Sequence, residues 1–187
     1  RGSSAVFPVF WGIRSTPTTT PNTGPNTDNS GTGNFAYLEA SAGSVGQQAY
    51  LESPFLDLTP LTTPELRFFY HLFGNATGTF RVDVFSATSQ TWTNGVYTRT
   101  GQVQTAGADP YLEAIVDLSA FAGDSIVLRF TGIKGNERFG DMAIDDVSVD
   151  EQPLCPQPDS LAATNITATT VDLNWLTGGA TNWQIEY

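Results

Sequence analysis

The chain has 187 residues and a formal charge of -11, set by 8 lysines and arginines against 19 aspartates and glutamates. That balance excludes nucleic acid and anionic lipid as partners, because their phosphates gather basic clusters and repel carboxylates. With 40% apolar and 12% aromatic residues the chain can fold by burial alone, and Cys155, its one cysteine, leaves no internal disulfide to assist.

Location has to be read from other features. Lys134 is the only lysine, while serine, threonine, asparagine and glycine abound, a composition closer to exported bacterial β-proteins than to cytosolic enzymes. The opening Arg1 to Ile13 lacks the layout of a signal peptide, and no run approaches the roughly 18 apolar residues of a membrane span. A soluble mature chain, secreted or at a cell surface and not inserted in a membrane, is expected.

In chain order, Thr16 to Gly33 is almost wholly Thr, Pro, Asn, Gly and Ser, residues that favour turns, so this stretch predicts a long loop whose only carboxylate is Asp28. Short apolar segments separated by turn residues follow, and none carries a helical stripe. They predict strands over Phe35 to Ser41, Gln48 to Ser53, Glu65 to Phe73, Gly78 to Ser86, Leu112 to Asp117, Ser125 to Gly132 and Asp141 to Val149. The fold class is therefore all-β, a two-sheet antiparallel sandwich.

Within the fourth of these strands Phe80, Val82 and Val84 alternate with Arg81 and Asp83, which places one face in the core and one outside. Ile126, Leu128 and Phe130 alternate in the same way with Val127 and Arg129. The third strand has almost no polar face across Leu66, Phe68, Phe69, Tyr70, Leu72 and Phe73. That pattern predicts a strand covered on both sides, by a loop or by a partner.

Three prolines punctuate the junction Glu151 to Pro158, which reads as a linker between a domain over 1–150 and a second unit over 159–187. The second unit predicts strands over Leu161 to Thr169, Thr170 to Leu176 and Asn182 to Tyr187.

Residues 24–150 resemble the MAM family of jelly-roll modules. The resemblance is carried by Thr23-Gly24-Pro25 with Asp28, by Gly33 to Ser41 ending Tyr37-Leu38-Glu39-Ala40-Ser41, and by Leu51-Glu52-Ser53-Pro54. Leu66 to Gly74 and the closing Gly140-Asp141-Met142-Ala143-Ile144-Asp145-Asp146-Val147 complete it. The segment is also similar to adhesin modules of exported bacterial proteins. It departs from animal MAM domains in lacking their cysteines, which points to a bacterial version. It also has no clear match to the family's opening strand, whose place Val6 to Trp11 can take. The tail from Leu154 resembles the start of a fibronectin type III module, with Trp175 in its second strand and Trp183 to Tyr187 in its third. About half a module is present, so either the natural chain continues or another chain completes it.

The last predicted strand of the sandwich contains a conflict. Asp145 shares the parity of Ala143, Val147 and Val149, and Asp146 that of Met142 and Ile144, so one carboxylate must point where apolar neighbours point. A buried carboxylate needs a cation, several donors or a raised pKa. The MAM resemblance implies Asp28, Glu39, Asp141, Asp145 and Asp146 as a gathered set, and an all-oxygen set suits calcium better than the strict octahedron of magnesium. The plainer alternative is that Asp145 and Asp146 cap a turn or pair with Arg129 or Arg138.

No catalytic residue is assigned. Two acids across a cleft could serve a glycosidase, but the same acids are better explained as metal ligands. His71, the single histidine, lies in an apolar strand, and Cys155 lies in a linker without a histidine neighbour. Trp92, Tyr97 and Tyr111, in or near loops, offer faces for sugar stacking, with ordinary core packing as the alternative. Two functions are left: a non-catalytic, calcium-stabilised adhesion or assembly module of a larger multidomain protein, or a carbohydrate-binding accessory domain of a secreted hydrolase or protease. The expected partner is an extracellular protein or glycan, or a second copy of the chain.

Overall fold

The computed structural model describes residues 8–152 and 159–176. The chain divides into two compact units, one running through Asp150 and one starting at Glu151. The strands of the first are β1 (Phe10–Arg14), β2 (Phe35–Glu39), β3 (Gln48–Glu52), β4 (Leu56–Asp57), β5 (Pro64–His71), β6 (Thr79–Ser86), β7 (Thr91–Thr100), β8 (Leu112–Asp117), β9 (Ser125–Ile133) and β10 (Met142–Glu151). They form two antiparallel sheets, ordered β1-β2-β10-β5-β8 and β3-β9-β6-β7, with β4 paired to β9. Among the described residues no helix is long and apolar enough to cross a membrane.

Period-two alternation builds the core between the sheets. Leu66, Phe68 and Tyr70 of β5, Phe80, Val82 and Val84 of β6, and Ile126, Leu128 and Phe130 of β9 all turn inward and are buried. Phe68 is the hub, with ring centroids 5.8 Å from Phe80, 5.6 Å from Phe130 and 5.3 Å from Tyr97. A buried phenylalanine in such a cluster contributes about 3–5 kcal/mol against truncation to alanine. This cluster does the holding that disulfides do in many extracellular modules.

The doubly apolar β5 is covered on its second face by the chain itself. Phe35, Tyr37, Tyr111 and Ala143 form a separate small cluster, against which Phe69 packs. A second departure from simple alternation is Asp83, expected on the polar face of β6 but wholly buried. The chain shifts register on β7 opposite Val82 and Val84, and Asp83 accepts bonds from Arg81 Nε (2.7 Å), Gly95 N (2.8 Å) and Thr131 Oγ1 (2.9 Å). The carboxylate lost its exposure to that irregularity and gained donors from three residues.

Strand β7 itself was not foreseen. Its sequence, Thr-Trp-Thr-Asn-Gly-Val-Tyr-Thr-Arg-Thr, carries few apolar residues because it is an edge strand paired only with β6 in its sheet. Trp92 and Tyr97 therefore stand on a strand, not in a loop. In the second unit β11 (Asp159–Thr164) and β12 (Asp172–Leu176) pair antiparallel, with a register shift between Asp159 and Ala162. Thr167 N bonds Thr170 O at 2.8 Å in the turn. Val6, Cys155 and the expected strand over Asn182 to Tyr187 lie outside the described residues.

Candidate functional site

The loop over 16–33 is tied down rather than left to solvent. Gly24 N donates to Phe73 O at 2.8 Å, Asn26 N to Gly107 O at 2.8 Å, and Thr18 Oγ1 to Thr23 O at 2.7 Å. Thr23 is a junction: its hydroxyl donates to Phe73 O and accepts from Asp141 N at 2.8 Å. Gly74, at φ 141°, allows this approach, since a Cβ there would lie 2.3 Å from Phe139 O and 2.7 Å from Thr23 Oγ1. These contacts deliver Asp28 to β10.

Asp28 is 7% exposed. Its Oδ2 accepts from Ser30 Oγ at 2.6 Å, and the Ser30 hydroxyl, together with N–H groups of the same turn, outweighs burial and holds the carboxyl below its usual range. Oδ1 is buried with no hydrogen-bond partner. The same loop reaches Asp145 and Asp146: Asn29 N donates to Asp145 Oδ2 at 2.8 Å, and Asn29 Nδ2 to Asp146 Oδ2 at 3.0 Å. Burial, joined by the charges of Asp146 and Asp28, raises the Asp145 carboxyl. Tyr111 lies among all three acids, and burial and then their charges push its phenol upward.

The parity conflict on β10 is resolved by the backbone. Asp146 takes φ 48°, a left-handed conformation that aspartate tolerates better than most residues, and the alternation breaks there. Asp145 is left half-buried and Asp146 exposed. The expected alternative partners are engaged elsewhere: Arg129 with Glu52 at 2.7 Å, and Arg138 over the ring of Phe139 at 4.8 Å.

The other two acids form a separate group. Asp141 is fully buried, its Oδ1 accepts from Ala40 N at 2.9 Å, and its Oδ2 has no hydrogen-bond partner. Burial, with the charge of Glu39 adding, pushes its carboxyl up to about 6, while the Ala40 N–H and the Lys134 ammonium pull the other way. Glu39 Oε1 accepts from Ser41 N at 2.9 Å. Lys134, itself buried, donates its ammonium to Ala40 O and to Glu137 O at 2.8 Å. The sequence reading missed Lys134, although a lone lysine in so acidic a chain was the available signal.

The five carboxylates expected as one set thus fall into Asp28, Asp145 and Asp146 around Asn29, and Glu39 with Asp141 near Lys134. Among the described residues, no three histidine, cysteine, aspartate or glutamate side chains stand as a ready-made metal cage. The donor chemistry of the first group nonetheless fits a hard cation. Its side-chain acceptors are oxygens, and the described ion pairs bring it no lysine or arginine. Asp28 Oδ1 is orphaned, and a cavity of about 240 Å³ lined by Asp28, Asn29, Asp109 and Tyr111 adjoins it.

Two of the three aromatics proposed for sugar stacking are packing residues. Tyr111 is buried and donates its hydroxyl to Thr27 O at 3.1 Å, pinning the residue before Asp28. Tyr97 faces inward opposite Val82 and packs on Phe68 and Tyr70. Neither ring stands free on the outer face as a stacking platform would. Trp92 alone turns to the outer face. His71 is fully buried, neither ring nitrogen has a hydrogen-bond partner, and burial lowers its pKa to about 4.

Two antiparallel sheets, closed by a last strand onto which an acid-bearing loop is clamped, define a jelly-roll module. The chain belongs to the MAM family: the family described as MAM domain, meprin/A5/mu, matches residues 7–156. It is 34% identical over 148 residues to human MAM domain-containing glycosylphosphatidylinositol anchor protein 2, covering 74% of this chain and 15% of that protein. It is 32% identical over 155 residues to zebrafish (Danio rerio) neuropilin-1a, again covering 74% and 15%. The chain therefore spans about 15% of the length of these relatives. In three dimensions it is similar to the K1 cleaved adhesin domain of Lys-gingipain from Porphyromonas gingivalis W83, with TM-score 0.54 and 18% identity, covering 78% of this chain and 85% of that one.

Proposed function

We propose that this chain is a non-catalytic adhesion or assembly module of a larger extracellular protein, and that one calcium ion held by Asp28, Asp145 and Asp146 ties its N-terminal loop to β10. Membership of the MAM family supports the first half of this reading, as do relatives named for membrane anchorage and a structural neighbour named as an adhesin. The orphaned, buried Oδ1 of Asp28 carries the second. A divalent ion there would supply charge neutralisation and a cross-link between loop and strand; the chain's own groups, Asn29, Ser30 and Tyr111, orient the acids. Glu39 and Asp141 are left out of the ion's shell, since Lys134 already supplies a cation beside them.

The non-catalytic reading is supported by His71, which has no route to a substrate from inside the core. The single lysine and single cysteine favour a bacterial source. The unit from Glu151 fits the start of a fibronectin type III module, joined to the sandwich by the proline-rich linker over 151–158.

A melting experiment tests the ion. Saturation at about 100 times Kd stabilises by roughly 2.7 kcal/mol, so chelation should lower Tm by about 5–10 °C in a domain of this size. Asp28→Asn should abolish the calcium dependence and Asp141→Asn should leave it. If Tm is the same in calcium and in chelator, the calcium assignment is wrong; the adhesion assignment is tested separately, by whether beads coated with the chain aggregate or bind cells.

A further inference from the structure

The outer face of the β3-β9-β6-β7 sheet is not an ordinary solvated surface. Tyr50 of β3, Arg129 of β9, Phe85 of β6 and Trp92 of β7 all stand on it, and Phe55, just past β3, joins them. The Arg129 guanidinium lies 3.6 Å over the Trp92 ring and 4.7 Å over that of Tyr50. Phe85 sits 5.4 Å from Trp92, and Phe55 sits 6.4 Å from Phe85, at interplanar angles of 51° and 70°. A ribbon of rings with one cation set into it therefore crosses the sheet.

Part of this ribbon is self-sufficient. Arg129, Trp92 and Phe85 pack on one another across neighbouring strands and account for their own presence. Tyr50 and Phe55 do not fit that explanation. They lie at the two ends, 52% and 63% exposed, and the Tyr50 hydroxyl is held in place by a 2.9 Å bond to Gln48 Oε1. Large rings kept exposed on a fixed platform mark a surface that meets something.

Charge selects the occupant. Arg129 is neutralised by Glu52 and Arg81 by Asp83, each at 2.7 Å, so the platform is charge-balanced within a chain of net charge -11. An anionic ligand would meet the repulsion of the whole chain, and so would a second copy of it. The rings are tilted apart, with Gln48 and Glu52 beside Tyr50 on the same face of β3, so separate flat faces alternate with hydrogen-bonding groups. That arrangement matches an uncharged sugar polymer, whose C–H faces stack on aromatic rings while its hydroxyls bond the groups between them. We propose that this face binds an uncharged glycan, with sugar rings on Tyr50, Phe55 and the free side of Trp92, and hydroxyls on Glu52 and Gln48. The proposal rests on the reading of the chain as an extracellular binding module, and it names a partner and a surface for it.

Titration calorimetry of the chain against soluble neutral polysaccharides (xylan, galactomannan, mixed-linkage β-glucan), beside anionic polygalacturonate and heparin, tests it. At least one neutral polymer should bind, and Tyr50→Ala and Phe55→Ala should each weaken it about ten-fold with Tm unchanged, because both side chains are exposed. The proposal is overturned if no neutral polymer binds, if only the anionic ones do, or if both variants bind at full strength. It is equally overturned if these variants abolish binding to a protein while no glycan binds. Beads coated with the wild-type chain separate the two readings: aggregation without glycan binding sinks this proposal and leaves adhesion standing.

Discussion

Two groups of acids gather about β10, and their charges are met differently. Just before the strand Asp141 lies near an internal cation, the Lys134 ammonium, which also satisfies the carbonyls of Ala40 and Glu137. Farther along, Asp145 and Asp146 meet Asp28 with only N–H and hydroxyl donors around them. A lysine is fixed by the covalent chain, so the first group has a counter-charge on folding even though Asp141 Oδ2 keeps no hydrogen-bond partner. The second depends on what the solvent provides, which makes the loop a place where the medium can act on stability.

The contrast breaks most visibly at Lys134. Lys134→Met leaves the carbonyls of Ala40 and Glu137 without their donor and takes a nearby positive charge from Asp141, a loss of about 1–3 kcal/mol for each carbonyl left unsatisfied. Urea unfolding should show it as a lower midpoint with an unchanged slope. A midpoint equal to the wild type's would mean that the ammonium is not what stabilises Asp141, and that the two groups are alike after all.

A pH titration sharpens the contrast by isolating a buried group that belongs to neither. His71 has its pKa lowered to about 4 by burial, against an ordinary 6.5. The unfolded chain therefore binds a proton that the folded chain refuses between those values. Stability from this group is complete above pH 6.5, falls as the pH drops toward 4, and is flat below. The loss is on the order of 3 kcal/mol. His71→Phe should flatten this limb of the stability profile in chelator as well as in calcium. A limb that survives the substitution would have to come from the acids.

The sandwich was legible because its strands are amphipathic or doubly apolar; the parity clash at Asp145 and Asp146 was legible too, but not that the backbone would resolve it by breaking the alternation at Asp146. What escaped were features set by distant parts of the chain. β7 hides as an edge strand of threonines. Asp83 is buried by a register shift that no alternation rule encodes. The separation of Glu39 and Asp141 from the loop acids depends on Lys134, which arrives from the turn after β9. Tyr97 and Tyr111 read as loop aromatics because neighbouring sequence is polar, although the surfaces that cover them come from β5 and from the 16–33 loop. The aromatic platform was visible only in Trp92; Tyr50, Phe55 and Phe85 join it through cross-strand pairing.

The smallest expected effect tests how the open group is oriented rather than how it is charged. Tyr111→Phe keeps the ring among Phe35, Tyr37 and Ala143 but deletes the 3.1 Å bond to Thr27 O. One such bond is worth about 1 kcal/mol, so Tm should fall by about 3 °C. Because Thr27 adjoins Asp28, the cost should be larger in calcium than in chelator, where the loop has no ion to serve. Equal losses in both would make Tyr111 a packing residue and nothing more, and the loop would then be positioned for the ion by Asn29 and Ser30 alone.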